Sequence, residues 1–361
     1  MTQRRRDTGR LRAATHGGPS GPDRPPIDFS TCTNAYGPAA VVRDAVTAAV
    51  LDEYPDPTST TARRAASARW NRPIDELAFG AGSVELLYAT MLAAVRPGDV
   101  VLIPRPAFGE YGRAALLAGA RICRPRRLSV GVAADAVVTA FIAAVHATRP
   151  RLALLAAPTS PDGTMLVPPH VRAAADACAR AGTLLVLDQA YDAFADEQLG
   201  TPALPGHPAV LHVRSLTKDH ALAGVRAGFA IGPADVIAAI ERCRPPWVAS
   251  TAAQAAAAAA LSDAGMAHVA ATIPRLRDAA RALASWCGQH GIPIVPSSTH
   301  YQLIRIGDAR RARAELLLAG IGVRDCTSFG LSAYIRIAAR TDPEQAVLRD
   351  ALLLLHTGMP I

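Results

Sequence analysis

The sequence predicts an α/β fold: a large domain whose mostly parallel central sheet is sandwiched by helices, followed by a smaller α+β domain. Two observations carry this. Through the middle of the chain, short apolar runs alternate with longer amphipathic stretches, the rhythm of strands joined by crossover helices. From Pro245 onward the rhythm changes to long Ala- and Leu-rich helices and then a short strand-rich tail.

In chain order, residues 1–27 read as a basic tail without regular structure, with Arg4, Arg5, Arg6, Arg10, Arg12 and Arg24 set against Asp7 and Asp23. Residues 28–44 read as an arm that joins the small domain, irregular over Asp28–Pro38, and residues 45–250 as the large domain. Apolar runs bounded by turn residues predict strands at Leu77–Phe79, Val100–Ile103, Leu152–Ala156, Leu184–Leu187, Val210–Val213 and Gly228–Ile231. Amphipathic spacing predicts helices at Val84–Val95, Tyr111–Ala118, Ala134–Ala147 and His170–Ala181. Residues 251–361 read as the small domain. It begins with helices Thr251–Leu261 and His268–His290, then strands His300–Ile306 and Ala333–Ala338, and ends in helix Pro343–Leu355.

Composition narrows the class. Half of the 361 residues are hydrophobic and 19% are charged, which suits a full buried core and excludes a disordered chain or a disulfide scaffold. The low-polarity run Ala252–Leu261 is interrupted by Gln254 and reads as a buried helix, not a membrane span. No apolar run follows the basic start, so no secretory signal is expected. Six cysteines lie far apart with no CxxC pair, pointing to the reducing cytoplasm and to no metal site. About half of the net charge of +8 sits in the tail. The basic, aromatic-laced face that nucleic acid would need is missing, so no nucleic-acid partner is expected.

Of the 38 basic residues, 37 are arginine and one is lysine, Lys218. Arginine serves wherever a fixed positive charge suffices, but only lysine can lose its proton and act as a nucleophile. The surviving lysine is therefore the candidate for covalent chemistry.

In open α/β sheets ligands sit beyond the carboxyl ends of the strands. After Phe79 comes Gly80-Ala81-Gly82-Ser83 and then a helix, which is either a phosphate cradle or an ordinary helix start. After Leu187 comes Asp188-Gln189-Ala190-Tyr191, where the carboxylate either caps a helix or holds a cation. After Val213 comes Arg214-Ser215-Leu216-Thr217-Lys218, with Arg226 eight residues on. Together they fit pyridoxal phosphate. That cofactor needs a lysine for its aldehyde, a carboxylate on its ring nitrogen, an aromatic face and a phosphate cup. Lys218, Asp188, Phe108 and the set Gly82, Ser83, Ser215 and Arg226 supply these.

With these residues the sequence resembles the fold type I aminotransferases, within them the branch of histidinol-phosphate aminotransferase and threonine-phosphate decarboxylase. The likeness covers nearly the whole chain after residue 15. It implies the fold type I architecture and a Schiff base on Lys218 within Ser215-Leu216-Thr217-Lys218. Ser83 and Val84 would bind the phosphate through backbone amides, with Ser215, Thr217 and Arg226 beside them. Phe108 of Pro106-Ala107-Phe108 would stack on the ring, and Tyr191 would hydrogen-bond its phenolic oxygen. Tyr54 of Tyr54-Pro55-Asp56 would reach the phosphate of a neighbouring subunit, which implies a homodimer with shared sites. Arg336 would clamp the substrate carboxylate. His16-Gly17-Gly18, Asp28-Phe29-Ser30, Pro245-Pro246-Trp247 and Val323-Arg324-Asp325-Cys326 lean toward the decarboxylase side, where Arg324, Tyr36 and His16 would line the substrate.

Two positions depart from the pattern. Ser160 stands where the family has an asparagine that bonds the phenolic oxygen, and Ser250 where the decarboxylase-like pattern shows Asn. The expected activity is transamination of an amino acid or amino-acid phosphate. Decarboxylation of a phosphorylated amino acid, or replacement or oxidation in a specialised pathway, stays open. A ligand-sensing regulator would need a DNA-binding module, for which residues 1–27 are too short. A nicotinamide dehydrogenase would need a GxGxxG turn after a strand, which is missing.

Overall fold

A computed structural model describes residues 13–18, 24–125, 129–195 and 206–358. Most of the predicted tail lies outside these ranges. Two parts of it do not: residues 13–17 lie against the large cavity described below, and Ile27 opens strand β1 (Ile27–Asp28). The arm then leads to helices α1 (Ala40–Thr47) and α2 (Thr60–Trp70).

The large unit follows as β2 (Leu77–Gly80), α3 (Ser83–Ala94), β3 (Val100–Leu102), α4 (Gly109–Leu117), β4 (Arg121–Cys123), α5 (Ala134–Thr148) and β5 (Leu152–Ala156). It continues with α6 (Pro168–Ala181), β6 (Leu184–Asp188), β7 (Val210–Ser215), β8 (Gly228–Ile231) and α7 (Ala234–Arg242). Its seven strands lie in the order β2-β8-β7-β6-β5-β3-β4. All pair in parallel except β8, which runs antiparallel to both neighbours. All six predicted strands are present. The seventh, β4, was missed because Arg121-Ile122-Cys123 is an edge strand with little apolar content, its first residue exposed.

Alternation along the strands divides the core into two layers. Leu152 and Leu154 point to one face, packing with Leu86, Leu87 and Met91 of α3 and Ile237 and Ile240 of α7. Ala153 and Leu155 point to the other, against Val138, Phe141 and Val145 of α5 and Val171 and Ala174 of α6.

Helix α8 (Thr251–Ala260) departs from the predicted division at residue 250. Its buried Ala253, Ala256, Ala257 and Ala260 join Leu77, Phe79 and Phe229 of the large sheet. Alanines let α8 approach α1 and α2 closely, and these pack on the large sheet, so the packing boundary falls after α8. Ser250 accepts a hydrogen bond from the Ala253 amide at 3.1 Å and so caps this helix.

The 27-residue helix α9 (Asp263–Gln289) leads to β9 (Ile294–Val295), β10 (Tyr301–Arg305), α10 (Ala309–Leu318), β11 (Ile321–Gly322), β12 (Arg324–Asp325), β13 (Tyr334–Ala338) and α11 (Asp342–Thr357). The second sheet runs β12-β13-β10-β9, all antiparallel. β1 pairs with β11, and Phe29 is buried among Ile304, Ile335 and Leu348. The first residues of the arm thus pair with this unit, whereas Ala39 and Val42 further along pack with Leu77 and Phe79 of the large sheet. Among the described residues, no single helix is long and apolar enough to cross a membrane, and no cluster of His, Cys, Asp and Glu fits a metal ion.

Candidate active site

A cavity of about 710 Å³ opens where β5, β6 and β7 end in Ala156, Asp188 and Ser215. Ser83, Val84, Phe108, Ser160, Asp188, Tyr191, Ser215, Thr217, Lys218, Arg226, Arg324, Arg336 and His16 all line it.

At one end α3 begins at Ser83, and its first amides have no acceptor within the helix. Gly82 has φ +88°, and a Cβ there would lie 2.6 Å from Arg226 Nη2. A Cβ on Gly228 would lie 2.5 Å from the Ser83 nitrogen. Two missing side chains therefore bring a guanidinium over a helix amino terminus, a ready anion cradle. Arg226 is exposed and holds φ +62°, its Nη1 donating to the Ala223 carbonyl at 3.2 Å.

Asp188 is buried at the end of β6. Tyr111 donates to Oδ2, and the Ala190 amide donates to Oδ1 at 2.9 Å. Burial raises its pKa above the usual carboxylate value, while those two bonds and the Lys218 charge oppose the rise. A cation such as a protonated ring nitrogen would relieve the strain on this carboxylate. The Phe108 ring lies 5.6 Å from Tyr111, edge-on, and 5.6 Å from His16.

Lys218 sits three residues past β7, with Nζ 5.6 Å from the centre of the Tyr191 ring. Burial lowers its pKa. The Cys32 thiol acts against this, and Arg336 and Arg226 add to the fall. The free amine is thereby favoured, as a nucleophile requires. Tyr191 packs edge-on against Tyr301 at 4.8 Å, and burial raises its pKa, with Cys32 adding to the rise.

Arg336 is buried on β13, donating to Ser160 Oγ at 2.9 Å and to the Ser30 carbonyl at 3.3 Å, with Nε unpartnered. Ser160 therefore serves the arginine, and its Oγ is the acceptor of that bond. Arg324 lines the cavity too. It donates to the Thr15 and His16 carbonyls at 2.7 and 3.1 Å and to Ser328 Oγ at 2.7 Å. His16 Nε2 meets Glu110 Oε1 at 2.7 Å.

Tyr36 and Tyr54 do not line the cavity. Tyr36, expected on the substrate side, lies under Arg275 of α9, 4.3 Å from the guanidinium carbon, among Val269, Ile273 and Leu276. Tyr54 is 81% exposed and packs on Trp247 at 4.7 Å. Sequence reasoning missed Tyr111, Cys32 and His300. Tyr111 had a signal, since it lies three residues past Phe108 at the start of a helix. His300 is buried, stacked on Phe194 at 3.6 Å, and nothing in its local sequence marks it.

Comparison with known proteins agrees with this geometry. Residues 25–352 match the family model described as aminotransferase class I and II. The chain is 32% identical over 343 residues to the histidinol-phosphate aminotransferase of Halorubrum lacusprofundi, covering 93% of this chain and 91% of that protein. It is 33% identical over 335 residues to histidinol-phosphate aminotransferase 2 of Ralstonia nicotianae, covering 90% and 87%. In fold it matches the histidinol-phosphate aminotransferase of Sinorhizobium meliloti in complex with pyridoxal-5'-phosphate, with a TM-score of 0.83 at 24% identity over 93% and 92% of the two chains. Thermus thermophilus aspartate aminotransferase with maleate gives a TM-score of 0.77 at 22% identity over 91% of each chain. The lone lysine, the buried aspartate and the glycine-floored anion cradle thus belong to a chain of the class I and II aminotransferase family, enzymes that work with pyridoxal phosphate.

Proposed function

We propose that this enzyme removes the amino group of an amino acid or amino-acid phosphate and passes it to an oxo-acid acceptor. The observation that carries the reading is that one cavity gathers a half-buried amine, a buried carboxylate, an anion cradle and a buried arginine with an unpartnered Nε. Its histidinol-phosphate aminotransferase relatives favour a substrate with a phosphate.

Ser83, Val84, Ser215, Thr217 and Arg226 would hold the cofactor phosphate, Phe108 its ring face, and Tyr191 its phenolic oxygen. Asp188 would keep its ring nitrogen protonated. When bound, the cofactor supplies an electron sink for a carbanion at the substrate Cα. The protein does the rest. Lys218 would hold the cofactor and, as a free amine beside the substrate, would serve as the general base for the Cα proton. Arg336 orients the substrate through a carboxylate or phosphate next to the amine, for which a planar fork is suited.

The assembly we propose is a homodimer. Leu51 and Tyr54 are 85% and 81% exposed, and Val50 and Trp247 about half exposed, an apolar surface that a second copy would cover. Tyr54 would then complete the neighbour's phosphate site.

The test is to add single amino acids to the cofactor-loaded enzyme. Conversion of the cofactor to its amine form, with one oxo acid released per site, supports the reading. Carbon dioxide release without that conversion rejects transamination.

A further inference from the structure

The cavity extends past Phe108 into a chamber between α4, β4 and α5, walled by Ile122, Val137 and Phe141. Gly112 opens it: a Cβ there would lie 3.7 Å from Ile122 Cδ1 and 3.9 Å from Arg124 Nη2, so the missing side chain leaves a gap beside the arginine. Arg105 and Arg124 both line this end. Among the described residues neither makes a hydrogen bond or an ion pair. Glu110, the one acid of α4, is taken by His16, Tyr88 and Arg113. Arg124 is half-buried, and burial and the Arg105 charge both lower its pKa. Two like charges beside an apolar wall, with no carboxylate paired to them among the described residues, leave an unmet demand for an anion. Arg324, at the other end, differs from this pair in already donating to Thr15, His16 and Ser328.

We propose that this chamber is a side-chain subsite, in which Arg105 and Arg124 bind the terminal carboxylate or phosphate of a substrate whose side chain has an apolar middle. The proposal rests on the aminotransferase reading and names its substrate class. Ile122, Val137 and Phe141 take the apolar stretch, and Gly112 sets the chamber's width.

The experiment compares three amino acids of similar length on the cofactor-loaded enzyme: 2-aminoadipate, 2-amino-5-phosphonopentanoate and norleucine. Adipate binding, followed by calorimetry, serves as a readout that needs no turnover. We expect the wild type to prefer an anionic substrate over norleucine. Arg124→Gln and Arg105→Gln should each cut that preference by about 10- to 100-fold, mainly through KM, as the loss of a charge-assisted bond implies. Whichever anion is preferred identifies the headgroup. Gly112→Val should lower the rate with all three long side chains relative to alanine. Adipate binding that Arg124→Gln abolishes supports the subsite even if no amino acid is turned over, an outcome that would sink only the aminotransferase reading. Unchanged preference in both arginine variants, or adipate binding equally to wild type and variants or to none, overturns the subsite.

Discussion

At the scale of single residues, burial does the electrostatic work. An exposed lysine is protonated at neutral pH; Lys218 is shifted below its usual 10.5 by desolvation and by the charges of Arg336 and Arg226. The rate of cofactor capture should therefore rise with pH around a midpoint below 10.5. Arg336→Gln should move that midpoint upward, because it removes a like charge; stopped-flow absorbance across a pH series reads both. Asp188 shifts the other way, above 3.8. The folded, cofactor-free chain then binds this proton more tightly than the unfolded chain does. Its contribution to stability is full below about pH 3.8 and declines as pH rises through the folded value. In thermal melts without cofactor, Asp188→Asn should thus gain on wild type as pH climbs from about 4 toward neutrality. The same variant should lose about 100-fold or more in turnover, the usual size of a lost electrostatic stabiliser. Both residues were legible in the sequence, one as the lone lysine and the other as a carboxylate closing an apolar run. Their partners were not. Tyr111 reaches Asp188 across 77 positions and Arg336 reaches Ser160 across 176, and no local pattern encodes such contacts.

At the scale of elements, the anion cradle depends on how closely β8 passes the start of α3. A methyl group on Gly228 would meet the Ser83 nitrogen at 2.5 Å, the Gly82 carbonyl carbon at 2.8 Å and the Arg214 carbonyl oxygen at 3.0 Å, all of them backbone atoms that cannot rotate away. Gly228→Ala should destabilise the chain by about 2–3 kcal/mol through overpacking and weaken cofactor binding together with it. Gly288, inside α9, has nothing within 4 Å of its would-be Cβ. Gly288→Ala should instead stabilise by about 0.5–1 kcal/mol and leave cofactor affinity alone. Paired denaturant melts and cofactor titrations separate the two. The element boundaries were read well wherever a strand is buried on both faces, because such strands are continuous apolar runs. The reading failed at β4, whose edge position needs no such run. It also failed at α8, whose alanines suit a close approach to either unit and carry no label saying which.

At the scale of the whole molecule, Tyr54 presents the sharpest contrast between sequence and structure. By resemblance it belongs to a phosphate site, yet within its own chain it stands exposed on Trp247, away from the cavity. Both facts hold together if the site it serves belongs to a second copy. A twofold interface makes this testable by mixing defective chains. Tyr54→Ala alone should weaken the site it reaches, and Lys218→Ala should silence its own. In a mixed dimer, one of the two sites combines an intact Lys218 with an intact Tyr54 from across the interface. Random reassociation of equal amounts makes half of the dimers mixed, so activity should return to about a quarter of the wild-type level. If Tyr54 acts within its own chain, no mixed site is whole, and the mixture should show no more than the mean of the two variants. Leu51→Asp adds an independent arm: a charge placed on the proposed contact should shift the enzyme toward monomer in sedimentation. Activity should then fall with dilution at concentrations where the wild type holds its rate.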